Sequence, residues 1–185
     1  MITLFGISGS LRKGSYNAGL LRAAVELMPE NARLEAATIE GIPLYNADAE
    51  TSEGVPDVVE RIKDRIAAAD GLLLVTPEYN NSIPGVFKNA IDWISRPPED
   101  RIRVFKNRAV GIIGASAGPH GTVFSHTAWL PVLRTLAMRP WFGKLLYVNG
   151  AMKLFDSSGN LTDDAIRSRL KSYLEGFVAF VRENR

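Results

Sequence analysis

The chain has 185 residues, 46% of them hydrophobic and 23% charged. That balance fits one folded domain over residues 1–185 and argues against disorder. It contains no cysteine, which excludes disulfides, thiolate catalysis and iron–sulfur clusters, so any redox role must rest on a bound cofactor. The net charge of +2 is too small to mark a nucleic-acid binder and slightly favours anionic ligands.

Residues 2–7 are a short apolar run ending beside glycine. They lack the basic flank and cleavage site of a signal peptide, so a first strand and a cytoplasmic location are expected. No apolar run approaches the roughly 20 residues needed to span a bilayer, and no membrane partner is expected. Residues 17–28 follow with Leu20, Leu21, Ala24, Val25 and Met28 at helical spacing, and Pro29 stops them. Residues 33–39 alternate as a second strand. Residues 55–69 read as a helix with Val58, Val59, Ile62 and Ile66 on one face.

Residues 71–76 are a continuous apolar strand of the kind covered on both faces. A third helix is predicted over 84–94, with Pro84 where a missing N–H is harmless. A fourth strand spans 108–115, a helix interrupted by Pro131 spans 122–137, a fifth strand spans 141–148, and a final helix spans 161–182. Residues 43–54 and 95–107 read as longer loops. In the basic stretch 96–108, Glu99, Asp100 and two prolines break up Arg96, Arg101, Arg103, Lys106 and Arg108. It reads as a solvated loop, not a nucleic-acid surface.

Five strand–helix repeats imply an α/β, flavodoxin-like three-layer sandwich. Its parallel five-stranded sheet has order 2-1-3-4-5 with helices on both faces. Ligands of such sheets bind beyond the carboxyl ends of the strands. Three segments fall there: 8–17, 77–84 and 116–121.

The first, Gly6-Ile7-Ser8-Gly9-Ser10-Leu11-Arg12-Lys13-Gly14-Ser15-Tyr16-Asn17, opens a helix. A helix N-terminus offers free N–H groups and a positive dipole end to a phosphate. Gly9 and Gly14 permit close approach, Ser10, Ser15 and Asn17 add side-chain donors, and Arg12 supplies a charged fork. The order Lys13-Gly14-Ser15 is wrong for a Walker loop, and the glycine spacing is wrong for a dinucleotide fingerprint. A tight turn with an ordinary helix cap is the bland alternative.

The second, Thr76-Pro77-Glu78-Tyr79-Asn80-Asn81-Ser82-Ile83-Pro84-Gly85, pairs the flat face of Tyr79 with polar groups, as a polar-edged ring requires. An ordinary surface turn is the alternative. After it, Lys88 and Asp92 are spaced to pair along a helix, and Trp93 is expected in the core. The third, Gly114-Ala115-Ser116-Ala117-Gly118-Pro119-His120-Gly121, is built of small residues that admit a ring edge, with Ser116 as a donor. No Gly-x-Ser-x-Gly elbow accompanies His120 or His126, so both are expected to be structural or exposed rather than catalytic. No metal-ligand spacing is present.

Together, residues 9–17, Pro77-Glu78-Tyr79-Asn80 and Lys88-Asn89-Ala90-Ile91-Asp92-Trp93 resemble the NAD(P)H-dependent FMN reductases, nearest to the bacterial quinone and chromate reductases. The resemblance runs from the first strand to about Arg96. It implies bound FMN, with Ser10, Arg12, Ser15 and Asn17 on the phosphate. Pro77, Glu78, Tyr79 and Asn80 would line the isoalloxazine, with Ser116 at its far edge. Tyr16 and Gly118 complete the expected cofactor-binding set.

It further implies hydride transfer from NADPH or NADH to the flavin, and then electrons to quinones, free flavin, azo compounds or oxyanions such as chromate. Chemistry would belong to FMN, with no catalytic side chain. A homodimer is expected, and a homotetramer is possible. In the family a polar fourth-helix region joins tetramers, whereas residues 124–131 here include Trp129 and suggest a different contact. A flavodoxin-like electron carrier without NAD(P)H turnover is the alternative. Such carriers are usually strongly acidic, which this chain is not. A nucleotide-binding regulatory module without a redox role is a third reading.

Overall fold

A computed structural model describes residues 1–184. Strands β1 (Ile2–Ser8), β2 (Ala32–Thr38), β3 (Gly71–Val75) and β4 (Ala109–Ala115) run parallel in the order β2-β1-β3-β4. Two short strands, β5 (Arg139–Pro140) and β6 (Tyr147–Val148), both pair with β4, giving the expected order 2-1-3-4-5. The central strands β3 and β4 are buried along their whole length, as their unbroken apolar sequences require. The edge strand β2 instead alternates buried and exposed residues at its start.

Helices α1 (Tyr16–Glu26) and α7 (Asp164–Glu183) cover one face of the sheet. Leu20, Leu21 and Ala24 from α1 meet Leu170, Leu174 and Phe177 from α7 in one core. Helices α3 (Asp57–Ala68), α4 (Gly85–Ile94) and α6 (Val123–Thr135) cover the other. There Ile62, Ile66, Phe87, Trp93 and Leu133 form the second core. Apolar residues at helical spacing produce both faces. Among the described residues no helix is long and apolar enough to cross a membrane.

Two expectations need correction. The fifth strand, predicted as one piece over 141–148, is split. The Trp141 N–H still bonds the Val110 carbonyl of β4 at 2.9 Å, its indole packs on Tyr173 at 4.9 Å between ring centroids, and Gly143 folds over that indole. Lys144 Nζ then bonds the Ser172 carbonyl at 2.9 Å, so residues 141–146 bulge towards α7 before the chain returns to β4.

The two long loops also contain helices, α2 (Ala47–Glu53) and α5 (Asp100–Val104). Neither announces itself by periodicity, because α2 buries no residue and α5 only Val104. Polar contacts hold them instead. Asn46 caps α2, Arg96 pairs with Glu50 at 2.9 Å, and the buried Lys63 reaches Asp100 at 2.6 Å. Within the basic stretch 96–108, Arg103 pairs with Asp64 at 2.7 Å and with Asp100 at 3.2 Å, while Arg101, Arg103 and Lys106 stay exposed. Arg103 and Lys63 hold the Asp100 carboxyl below the usual range.

Candidate cofactor site

The three loops expected to bind do converge. A cleft of about 200 Å³ beyond the carboxyl ends of β1, β3 and β4 is lined by Ser10, Arg12, Ser15, Tyr16 and Asn17, by Pro77, Glu78 and Tyr79, and by Ser116. Ala115 and Ala117, two of the small residues expected to admit a ring edge, also line it. Asn80 and Gly118, both expected in the set, lie outside the lining.

The first loop is rich in unspent donors. Among the described residues, the backbone N–H groups of Ser10, Leu11, Lys13 and Gly14 make no hydrogen bond. Ser10 Oγ accepts the Arg12 N–H at 3.3 Å, and Ser15 Oγ caps α1 by accepting the Ala18 N–H at 3.3 Å. Each hydroxyl has thus used an acceptor site and keeps its hydrogen to donate. Arg12 lies at the rim, its guanidinium 5.5 Å from the Tyr16 ring centroid. No carboxylate lies between Gly9 and Asn17.

Two residues of this loop have other work. Asn17 is 3% exposed and its amide grips Ala115 at the end of β4, donating to the carbonyl at 2.8 Å and accepting the N–H at 2.9 Å. Its carboxamide oxygen and one N–H hydrogen are therefore committed to the protein. Gly9 is not open to a ligand, because a Cβ there would fall 2.0 Å from the Phe87 ring. The missing side chain at Gly9 serves packing against α4, whereas a Cβ at Gly14 would meet nothing within 4 Å.

The second loop contains a tight hairpin. Tyr79 and Ser82 exchange two backbone hydrogen bonds, 3.2 and 3.1 Å, with Asn80 and Asn81 at φ 50° and 56°. Positive φ at both central residues is what asparagine tolerates in a primed turn. Asn80 therefore shapes the turn that holds up Tyr79, which stays 44% exposed. Glu78 points to α6, where Oε2 accepts the Ser125 N–H at 2.9 Å. Thr122 gives α6 no side-chain cap, so a carboxylate from a distant loop takes that place and meets the positive end of the helix.

Behind this wall, Thr76 Oγ1 lies 2.9 Å from Ser125 Oγ and accepts Trp129 Nε1–H at 3.2 Å. Trp129 is 0% exposed and packs on Phe87, so it belongs to the core and not to an intersubunit contact. Trp93 is likewise core, and its indole N–H donates to the Pro43 carbonyl at 3.0 Å. Asn89 holds the same segment through Tyr45 N–H and Pro43 O, both at 2.8 Å. Lys88 and Asp92 form the expected ion pair at 2.6 Å.

In the third loop, the Ser116 N–H is spent on the Val148 carbonyl at 2.9 Å, and Ser116 Oγ accepts the Gly118 N–H at 3.1 Å. The Ser116 hydroxyl hydrogen remains free to donate. His120 is exposed, with its ring centroid 5.8 Å from that of Phe124. His126 is 7% exposed and its Nε2 has no partner. Burial holds its pKa down at about 3. It lines a separate cavity of about 80 Å³ between α6 and residues 140–147.

A model of the NADPH-dependent FMN reductases matches residues 2–152. The chain belongs to this family. The reductase is 44% identical to an NAD(P)H-dependent FMN reductase of Pseudomonas aeruginosa, over 100% of this chain and 97% of that one. It is 36% identical to a 2-hydroxy-1,4-benzoquinone reductase of Burkholderia, covering 97% and 96%. Among solved structures it resembles FerB, a flavoenzyme NAD(P)H:(acceptor) oxidoreductase from Paracoccus denitrificans. There the TM-score is 0.86 at 29% identity, covering 100% and 99%.

FMN is the cofactor of this reductase, and the cleft fits it on chemistry. The donor-rich, carboxylate-free loop suits a phosphate monoester. The aromatic and small-residue walls suit a flat ring, and the one carboxylate, Glu78, is already paired with α6.

Proposed function

We propose that the reductase holds the FMN phosphate in the 10–17 loop and the isoalloxazine between Tyr79 and Ser116, with NAD(P)H and the electron acceptor meeting the exposed ring. The observation that carries this reading is the set of unspent donors from Ser10 to Ser15 beside a cleft with no unpaired carboxylate. When bound, FMN supplies two-electron chemistry, taking hydride from NAD(P)H and yielding electrons to a small-molecule acceptor.

The chain's own contribution is binding and orientation. Ser10 and Ser15 donate their hydroxyl hydrogens, the loop amides surround the phosphate, and Arg12 closes over it as a charged fork. Tyr16 supports Arg12 from below. Pro77, Glu78 and Tyr79 form one wall for the ring, and Asn80 sets the turn that presents Tyr79. Ser116 donates to the ring's polar edge, and the Gly118 N–H orients its hydroxyl. No side chain in the cleft is needed as a proton donor or acceptor.

Quinones head the acceptor list, with free flavin, azo compounds and chromate beside them. The 2-hydroxy-1,4-benzoquinone reductase relative supports quinones first. A cytoplasmic location is supported by the reduced nicotinamide pool that the reaction draws on. One domain over residues 1–185 is supported by α7, which shares a core with α1 and β1. A homodimer is supported by Leu130, Phe142 and Leu145, exposed apolar side chains that line one cavity; extension to a homotetramer would need a second such face.

Anaerobic addition of NADPH or NADH to the holoprotein should bleach the flavin absorbance, and a quinone should restore it. A flavin that stays yellow with both nicotinamides would sink the reductase reading in favour of an electron carrier.

A further inference from the structure

The 10–17 loop does little to hold its own shape. Its internal ties are the Arg12 N–H on Ser10 Oγ, the Ser15 N–H on the Arg12 carbonyl at 3.2 Å, and a long contact from Arg12 to the Gly14 carbonyl at 3.5 Å. A loop that must present several amides to one phosphate binds tightly only if it is held in that arrangement beforehand. The outer side of the loop faces a turn from far along the chain, residues 156–160, with Gly159 opposite the Gly14 carbonyl.

That turn is tightly bound to itself. Asp156 Oδ1 accepts the N–H groups of Ser158 at 2.9 Å and Asn160 at 2.8 Å, and Oδ2 accepts Asn160 Nδ2–H at 3.2 Å. These donors hold the Asp156 carboxyl below its usual range, the Asn160 backbone N–H foremost. Gly159, at φ +75°, is turned so that its carbonyl presses on α1. A Cβ at Gly19 would sit 1.8 Å from that oxygen, and a Cβ at Gly159 would sit 3.6 Å from the Gly14 carbonyl carbon.

Arg22, one turn further along α1, grips the same segment. It donates to the Gly159 carbonyl at 2.9 Å, the Ser158 carbonyl at 3.4 Å and Asn160 Oδ1 at 3.0 and 3.2 Å. Beside the turn, the Phe155 ring lies 5.1 Å from Tyr16, the residue beneath Arg12.

We propose that the 156–160 turn, gripped by Arg22, is the buttress that fixes the 10–17 loop in its phosphate-accepting shape, making Arg22 and Asp156 positioning residues for FMN. Neither lines the cleft. The turn lies beyond the residues 2–152 matched by the family model. The inference rests on the assignment of the FMN phosphate to this loop.

The test compares two ligands that differ only in the phosphate. Full-length apoprotein is titrated with FMN and with riboflavin, read by flavin fluorescence, for the wild type, Arg22→Ala and Asp156→Ala. Each variant should weaken FMN binding by about tenfold, the scale of one charge-assisted hydrogen bond, and leave riboflavin binding unchanged. A wild type with no preference for FMN over riboflavin would overturn the phosphate assignment, and the buttress with it. A wild type that prefers FMN, with variants that keep the whole preference, would overturn the buttress alone. So would equal losses for both ligands, which would mean general loosening. If the alanine variants do not fold, Asp156→Asn replaces a charged acceptor by a neutral one and is judged on the same ratio.

Discussion

Asn17 and Ala115 stand 98 positions apart and are joined by two buried hydrogen bonds, one in each direction. The pair ties the start of α1 to the end of β4, and so holds the first and third site loops at a set distance. Asn17→Ala leaves both backbone groups of Ala115 without this partner. Loss of buried hydrogen bonds of this kind costs about 1–3 kcal/mol. Urea unfolding should show that loss, and FMN affinity should fall with it. An Asn17→Ala variant with wild-type stability would show that solvent replaces the clamp.

Arg12 is the exposed charge at the mouth of the cleft. Arg12→Ala should weaken FMN retention by roughly tenfold, as expected for a lost charge-assisted contact to phosphate. It should barely change thermal stability, because the side chain's protein contacts are the Tyr16 ring and a long bond to Gly14. Equilibrium dialysis against FMN beside a melting curve separates the two effects. Unchanged FMN affinity would remove Arg12 from the phosphate site.

Gly9 has no room for a methyl group. Gly9→Ala drives a Cβ into the Phe87 ring, and overpacking a core contact typically costs about 1–3 kcal/mol. Phe87 also packs on Trp129, so the strain should reach the second loop through Thr76. Combining Gly9→Ala with Phe87→Leu should recover part of the lost stability. Additive losses in the double variant would show that the two positions do not press on each other.

His126 makes stability depend on pH. Burial depresses its pKa from 6.5 to about 3, so between those values the unfolded chain binds the proton and the folded chain does not. Its contribution is complete above about pH 6.5 and is lost as pH falls towards about 3, at up to roughly 1.4 kcal/mol per pH unit. His126→Phe should flatten the stability profile across that window while keeping the ring contact with Tyr147. Denaturation midpoints at about pH 7 and about pH 4.5 provide the comparison. A variant that loses as much stability on acidification as the wild type would place the titrating group elsewhere.

Glu78 caps α6 from outside the helix. Glu78→Ala removes that acceptor and the charge at the helix's positive end, a loss of about 0.5–2 kcal/mol. Glu78→Gln keeps an acceptor and should cost less. Melting temperatures in the order wild type, Gln, Ala would support the cap, and equal values for the two variants would leave only the charge.

The sequence by itself determined the strand order, the helices on both faces and the three segments that meet at the site. Unbroken apolar runs and helical spacing are local signals, and the parallel crossover rule converts them into a topology. The polar 10–17 loop was legible for the same reason, since Ser10, Arg12 and Ser15 are neighbours in the chain. What only the tertiary structure decided was how each residue's bonding capacity is spent. Asn17, expected at the phosphate, does line the cleft, but its oxygen and one amide hydrogen are committed to Ala115. Gly9 looked like an opening for a ligand, but Phe87 occupies it. Asn80 looked like a ring contact, but it carries a turn. Helices α2 and α5 escaped notice because polar contacts hold them rather than an apolar stripe, and the fifth strand split because Trp141 packs on α7. In each case the deciding partner lies far away in sequence, where no local pattern reaches.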